Sequence, residues 1–185
     1  MKIAGSTHML DICERYLVMA DDCGARSTML WRAILAVLAL PGIVAGLIPY
    51  VLMNLDPWRR GGVEAGLIIL SAGVIGFLWC VRDFYVAGKG TLAPWAPPER
   101  LVVKGLYRFT RNPMYVSVLM IVAGWGLAAG SLLLAVYIVG LCMAFHLRVV
   151  RYEEPRLARQ FGFQWKVYAA HVPRWMPRWK PWKPS

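Results

Sequence analysis

The chain has 185 residues, of which 58% are hydrophobic and 17% charged, and its mean hydropathy is +0.49. That excludes an ordinary soluble domain: charges sit in short clusters between long apolar runs, the pattern of an integral membrane protein. The net charge of +11 therefore reads as basic loops that orient the chain and attract anionic lipid headgroups; a nucleic-acid surface would need a soluble basic domain, and none is apparent.

Residues 1–28 are mixed and polar, with Asp11, Glu14, Asp21 and Asp22 interrupting short apolar pieces. No apolar core precedes a small-residue cleavage site, so no signal peptide is expected. Met29 directly precedes the first apolar run and is a candidate alternative start, which makes 29–185 the expected membrane domain. Within it, residues 29–53 are the first candidate span, near the ~20 residues a bilayer crossing needs. Pro41 and Pro49 predict a kink there. Asp56 to Gly61 form a polar turn.

Residues 63–86 are the second candidate span. Gly66, Ser71, Ala72, Gly73 and Gly76 give it small residues for close helix packing, and Arg82 near its end reads as snorkelling to the headgroups. Gly88, Gly90, Pro94, Pro97 and Pro98 prevent 87–103 from spanning and make it an interfacial loop, either a connector or a lid. Residues 113–128 are a third span, short for a full crossing. After a tight turn at Gly130-Ser131, residues 131–150 return as the fourth. That helix is expected to run on past the membrane through Arg148, Arg151, Glu153 and Glu154 until Pro155 perturbs it.

Residues 156–185 are basic and rich in Trp and Pro. Phe161, Trp165 and Tyr168 fall at helical spacing and predict an amphipathic helix lying on the membrane; the proline-rich end reads as an interfacial anchor. The expected fold is an all-α integral membrane protein with about four transmembrane helices and a cytosolic interfacial C-terminal helix. Four crossings put both termini on the side holding nearly all Lys and Arg, which the positive-inside bias makes the cytoplasm.

Chemistry is narrowly placed. Cys13, Cys23, Cys80 and Cys142 lack paired ligand spacing, His8, His146 and His171 are isolated, and no metal site, Ser-His-Asp set or phosphate loop appears. Two polar clusters remain. In Lys104-Gly-Leu-Tyr-Arg-Phe-Thr-Arg-Asn-Pro-Met-Tyr115, Asn112 and Pro113 predict a helix start, whose partial positive charge suits an anionic ligand group. Gly105 permits close approach, Tyr107 and Tyr115 offer flat faces, and Arg108 and Arg111 pair with carboxylate or phosphate. The second cluster is Arg148 to Glu154. Adjacent Glu153 and Glu154 point ~100° apart on a helix, so one is expected to face a site while the other meets Arg151 or solvent. Plain interfacial anchoring and a ligand site both fit these residue types.

Gly105-Leu-Tyr-Arg-Phe-Thr-Arg-Asn-Pro-Met-Tyr115, Glu153-Glu154, Phe161-Gly162 and Val172-Pro173-Arg174, in that order, resemble the isoprenylcysteine carboxyl methyltransferase family, bacterial members of which also look like Gly90-Thr-Leu-Ala-Pro-Trp95. Phospholipid N-methyltransferases share the pattern more loosely. The resemblance covers roughly residues 30–178. It implies a bacterial inner-membrane enzyme using S-adenosylmethionine at a cytosolic site, with the acceptor entering from the bilayer. It further implies that Arg100, Leu101, Val102, Gly105, Tyr107, Arg111, Asn112 and Tyr115 line the cofactor site. Arg148, Arg151, Glu153 and Glu154 would serve the reaction, with Glu153 near the substrate entrance. Asn112 departs from the family's usual histidine and cannot titrate near neutral pH. A carboxylate acceptor needs no base, whereas a protonated amine must first lose a proton. The expectation is therefore carboxyl methylation of a lipidated or lipid-like acceptor. Phospholipid N-methylation, a non-catalytic module keeping the fold, and a reductase with related terminal helices are the alternatives. A prenylated protein, a phospholipid headgroup and a small hydrophobic acid all remain open as acceptors, and oligomeric state is not legible.

Overall fold

The computed structural model describes residues 41–60, 62–88 and 101–183. The polar segment 1–28, the first part of the first expected span and the loop around Trp95 lie outside the described residues. What is described is all-helical. A π-helical turn, Ile43–Leu47, leads into α1, Ile48–Leu55. Helix α2 is Ala65–Gly88, α3 is Pro113–Ala129, α4 is Leu132–Arg148 and α5 is Glu154–His171. A short 3-10 turn, Gly105–Arg108, precedes α3, and a second π-helical turn, Val149–Glu153, joins α4 to α5.

Among the described residues, two helices are long and apolar enough to cross a membrane, Ala65–Asp83 and the continuous run Leu132–His171. Ile43–Leu55 and the 17-residue helix Pro113–Ala129 are shorter. Residues 29–40 of the first expected span lie outside the described residues, and the third, Pro113–Ala129, is short as its sequence predicts.

Two of the prolines perturb their helices locally. Proline lacks an N–H, and its ring crowds the carbonyl four residues back. Both π-helical turns lie just before a proline, Pro49 and Pro155, and each widens the helix so that the backbone bond skips one residue further. Ile48 N–H donates to Ile43 and Glu154 N–H to Val149. The helix therefore passes through Pro155 without interruption. The break comes later, at Gly162, with φ 50° and ψ −117°.

Helices α2 and α3 pack backbone to backbone. A Cβ on Gly124 would lie 2.5 Å from the Leu70 nitrogen; one on Gly66 would lie 2.3 Å from that of Ala128, and one on Gly73 2.8 Å from that of Ile121. The small residues read from the sequence are therefore one half of a seam whose other half is Ser117, Gly124 and Ala128. Around it, Phe77, Val118, Val122, Leu134 and Leu141 form the core with Ala45. Tyr137 on α4 donates to the Val44 carbonyl (3.0 Å), which ties in α1.

The α3–α4 turn follows its sequence signals. Gly130 takes a left-handed φ of 60°, and Ser131 N–H donates back to Gly126 (3.1 Å), closing the helix in a Schellman-like way. Asp56 accepts from Ser131 Oγ (2.5 Å), Leu133 N–H (3.0 Å) and Trp58 N–H (2.9 Å). These bonds, the Ser131 hydroxyl first, hold the Asp56 carboxyl below its ordinary range.

The C-terminal region is corrected. Trp165 and Tyr168, expected to face lipid, are buried with Val172 against Leu101 and Val103, while Phe163 is exposed. The chain after α5 is held to the rest of the molecule, with Trp179 and Met176 left exposed. It runs along the segment before α3, with Arg111 N–H donating to Pro173 (2.9 Å), Arg178 N–H to Phe109 (3.0 Å) and Trp182 N–H to Arg108 (3.0 Å).

Two outcomes follow. Gly124→Leu drives side-chain atoms into the α2 backbone and lowers stability by about 1–3 kcal/mol or more, whereas Gly140→Ala, with nothing within 4 Å of the new Cβ, is neutral or mildly stabilising; thermal unfolding in detergent separates them. The depressed Asp56 pKa contributes stability that is full above the unfolded value of 3.8 and lost as pH falls through the lower folded value. Asp56→Asn therefore lowers the melting temperature at neutral pH and removes that acid-range loss, as read by unfolding midpoints across pH.

Candidate functional site

The site begins with Gly105. Its φ is 52°, and a Cβ there would sit 1.8 Å from Asp83 Oδ2 and 3.1 Å from Trp79 Nε1, so glycine alone lets the 3-10 turn lie against the end of α2. The turn sends the Tyr107 ring inward, where it packs with Cys80 and Val102. The Tyr107 carbonyl accepts from the Tyr168 hydroxyl at 2.7 Å, which joins the turn to α5. Burial is the main reason the Tyr107 hydroxyl titrates well above its ordinary value, with Cys80, Tyr168, Asp83 and Glu153 adding to the shift. It stays protonated at neutral pH.

Helix α3 then brings Tyr115 to the end of α4. Its hydroxyl donates to Glu153 Oε1 and accepts from Arg148 Nε (3.0 Å), which also donates to Glu153 at 2.9 Å. The π-helical turn is what makes this possible, because it turns Glu153 back toward Arg148 five residues earlier. The Tyr115 ring lies 4.6 Å from Phe145 and 6.4 Å from Trp175 between centroids. Trp175 Nε1 donates to His146 Nδ1 at 3.3 Å.

Glu154 faces the other way. Arg174 grips it bidentately (Nε to Oε1 2.8 Å, Nη2 to Oε2 2.7 Å) and Arg111 Nη1 approaches Oε1 at 2.9 Å. The bond to Glu154 raises the Arg174 pKa. Burial lowers that of Arg111, and Glu154 opposes the shift. Arg111 lies 5.8 Å over the Trp165 ring, and its buried Nε has no hydrogen-bond partner. Two guanidiniums around one carboxylate leave an excess positive charge and an unused donor.

Tyr115, Arg148, Glu153, Arg111 and Glu154 thus converge at one end of the molecule, with Tyr107 within electrostatic reach of Glu153. Other candidates sit elsewhere. Leu101 packs against Trp165, Tyr168 and Val172, and Val102 against Cys80 and Tyr107. Arg151 is exposed and outside the network, so neither glutamate meets it or is left to solvent. Arg100 lies outside the described residues. Asn112 occupies the N-cap position of α3 without a side-chain cap, and its Nδ2 donates to the Arg174 carbonyl (3.1 Å). Arg108 donates from Nε to the Trp182 carbonyl at 2.7 Å.

Sequence reasoning missed the strap. Thr110 Oγ1 donates to the carbonyls of Arg174 (3.1 Å) and Trp175 (3.2 Å), and Arg174 and Trp175 supply a guanidinium and an indole to the two clusters. Basic and indole residues at a membrane boundary look the same whether they anchor or build; the one available signal was the Val172-Pro173-Arg174 run.

A cleft of about 540 Å³ opens on the far side of Tyr107, lined by Trp79, Arg82, Asp83, Val103, Lys104, Gly105, Arg108 and Lys183. Of the residues expected to hold a cofactor, Gly105 lines it.

Comparison with known proteins follows this geometry. The chain is 29% identical over 127 residues to the nickel-cobalt-cadmium resistance protein NccN of Alcaligenes xylosoxydans xylosoxydans, covering 66% of this chain and 54% of that one. It is 31% identical over 116 residues to the cobalt-zinc-cadmium resistance protein CzcN of Cupriavidus metallidurans, covering 61% and 48%. The chain spans about half the length of these curated relatives. No solved structure matches. A family model described as phospholipid methyltransferase matches residues 63–164, from the approach to α2 through the π-helical turn and into α5. That family also includes the isoprenylcysteine carboxyl methyltransferases that the motifs resemble. With more than half of its length matched, the chain belongs to the phospholipid methyltransferase family.

Proposed function

We propose that the protein transfers a methyl group from S-adenosylmethionine to a carboxylate on a lipidated or lipid-like acceptor, at the cytoplasmic face of the membrane. The observation that carries this reading is the convergence of Tyr115, Arg148 and Glu153 with Arg111, Glu154 and Arg174 where α4 passes into α5.

The donor set fits the cofactor. A carboxylate-bearing ligand suits the net positive charge that Arg111 and Arg174 leave around Glu154, and a cationic ligand centre suits Glu153 or Glu154. Tyr115 and Trp175 present ring faces for a planar base. When bound, S-adenosylmethionine supplies an electrophilic methyl on a sulfonium. The chain's own part is positional. Arg148 and Tyr115 fix the Glu153 carboxylate, and Arg174 fixes Glu154. Tyr107 is kept protonated by burial and lies within electrostatic reach of Glu153. Orientation of this kind is worth several kcal/mol of barrier. Arg148, half exposed at the end of α4, has the charge to hold an acceptor carboxylate arriving from the bilayer. Asn112 offers no base, which suits an acceptor already ionised at neutral pH.

Glu153→Gln and Tyr115→Phe are each expected to lower labelled methyl transfer in membranes by about 100-fold while leaving membrane insertion intact. Arg151→Gln, which alters an exposed side chain, retains near-normal transfer. Equal activity in all three, or no binding of S-adenosylmethionine by calorimetry, removes the assignment. Separation of labelled lipids from labelled proteins identifies the acceptor, and label on a headgroup amine instead of a carboxyl rejects the carboxylate reading.

A further inference from the structure

The cleft beside Gly105 is not used by the reading above. Three separate segments build it: the end of α2, the turn Val103 to Arg108, and the C-terminal strap at Lys183. Its volume of about 540 Å³ lies in the range of small-ligand sites. Its wall carries Arg82, Lys104, Arg108 and Lys183 against one carboxylate, Asp83. No ion pair joins Arg82, Lys104 or Lys183 to another described residue. Such a wall selects an anion, and phosphate answers its several donors best.

Two further observations narrow the ligand. Asp83 lines the cleft, its Oδ2 held against the Gly105 backbone where no Cβ fits. Its carboxylate is the cleft's acceptor, and a donor on the ligand pairs with the part of it that faces the opening. The surrounding excess of positive charge favours a neutral hydroxyl over a second ammonium as that donor. Depth is the other clue. The apolar stretch Ala65–Asp83 ends at this cleft, which places Asp83 at headgroup level and half-exposed Trp79 one turn inward, where indoles favour the interface.

We propose that this cleft binds the headgroup of an anionic, hydroxyl-bearing phospholipid of the phosphatidylglycerol type, with the cations on the phosphate and Asp83 accepting from a head hydroxyl. The assignment is separate from methyl transfer and does not rest on it.

The test uses full-length protein in mild detergent, offered an equimolar mixture of phosphatidylglycerol, phosphatidylmethanol, phosphatidylethanolamine and phosphatidylcholine, with retained lipid read by native mass spectrometry. Phosphatidylmethanol carries the same charge without the head hydroxyl. Phosphatidylglycerol is expected to exceed it roughly fivefold, about one hydrogen bond's worth, and Asp83→Asn is expected to erase that difference. The double variant Arg82→Gln/Lys104→Gln loses the bound lipid. Arg159→Gln/Lys166→Gln removes the same charge from the exposed side of α5 and keeps it. Equal loss in both double variants overturns the proposal in favour of general surface attraction. Preference for phosphatidylethanolamine overturns the hydroxyl assignment. Displacement by sn-glycerol 3-phosphate, the same head without acyl chains, overturns the membrane source. Circular dichroism confirms that each variant keeps its helices before lipid is scored.

Discussion

Glu154 is the knot of the molecule. It is the first residue of α5, on the helix that continues from the membrane run, and it is held by Arg111 from the segment before α3 and by Arg174 from the strap. Three stretches far apart in sequence are therefore bound through one carboxylate, which is 17% exposed at its side chain. Charge pairs that exposed to water contribute little, but a bidentate pair in a partly dry setting is stronger and more directional. Removing either arginine would leave Glu154 or its remaining partner short of its charge, so the cost falls on the geometry of the whole end of the bundle.

The π-helical turn before Pro155 gives this knot its second half. In a regular helix, Glu153 would not meet Arg148, because neighbours on one face lie three or four residues apart. One extra residue in the turn brings position five back into register, and Glu153 meets Arg148 and Tyr115 while Glu154 keeps Arg111 and Arg174. A proline that reads as a helix breaker is thus accommodated by a local widening that also aims two adjacent carboxylates into two different networks. Bulges of this kind recur at functional sites, and here the physical reason is visible in the side chains they redirect.

Much of this was legible in the sequence. Apolar run lengths located α2 and α3, Gly130-Ser131 the turn, and the small residues of α2 its packing seam. The divergence of Glu153 and Glu154 followed from helical geometry. What was not legible has a common cause: it depends on backbone atoms. Asn112 looks like a helix cap, yet its oxygen caps nothing and its amide N–H donates to a carbonyl of the strap. Trp165 and Tyr168 show the same spacing whether their partner is lipid or the segment at Leu101 and Val103. The strap itself is held by peptide groups at Pro173, Phe109 and Arg108, and a main-chain bond leaves no trace in residue type.

The strap also explains how two polar surfaces can adjoin without merging. Arg108 and Arg111 are three residues apart, on either side of the Phe109 backbone that the strap clamps. Arg111 turns toward Glu154 and the aromatic ring of Trp165, while Arg108 turns toward the Gly105 cleft, its Nε already bound to the strap carbonyl at Trp182. Tyr107, beside Arg108 in the chain, is buried against Cys80 and Val102. Both surfaces carry an excess of positive charge, but in the first it is gathered around carboxylates already paired, and in the second it is spread over the wall of a cleft. The basic character of the segment before α3 is therefore divided between two surfaces by the direction each side chain takes.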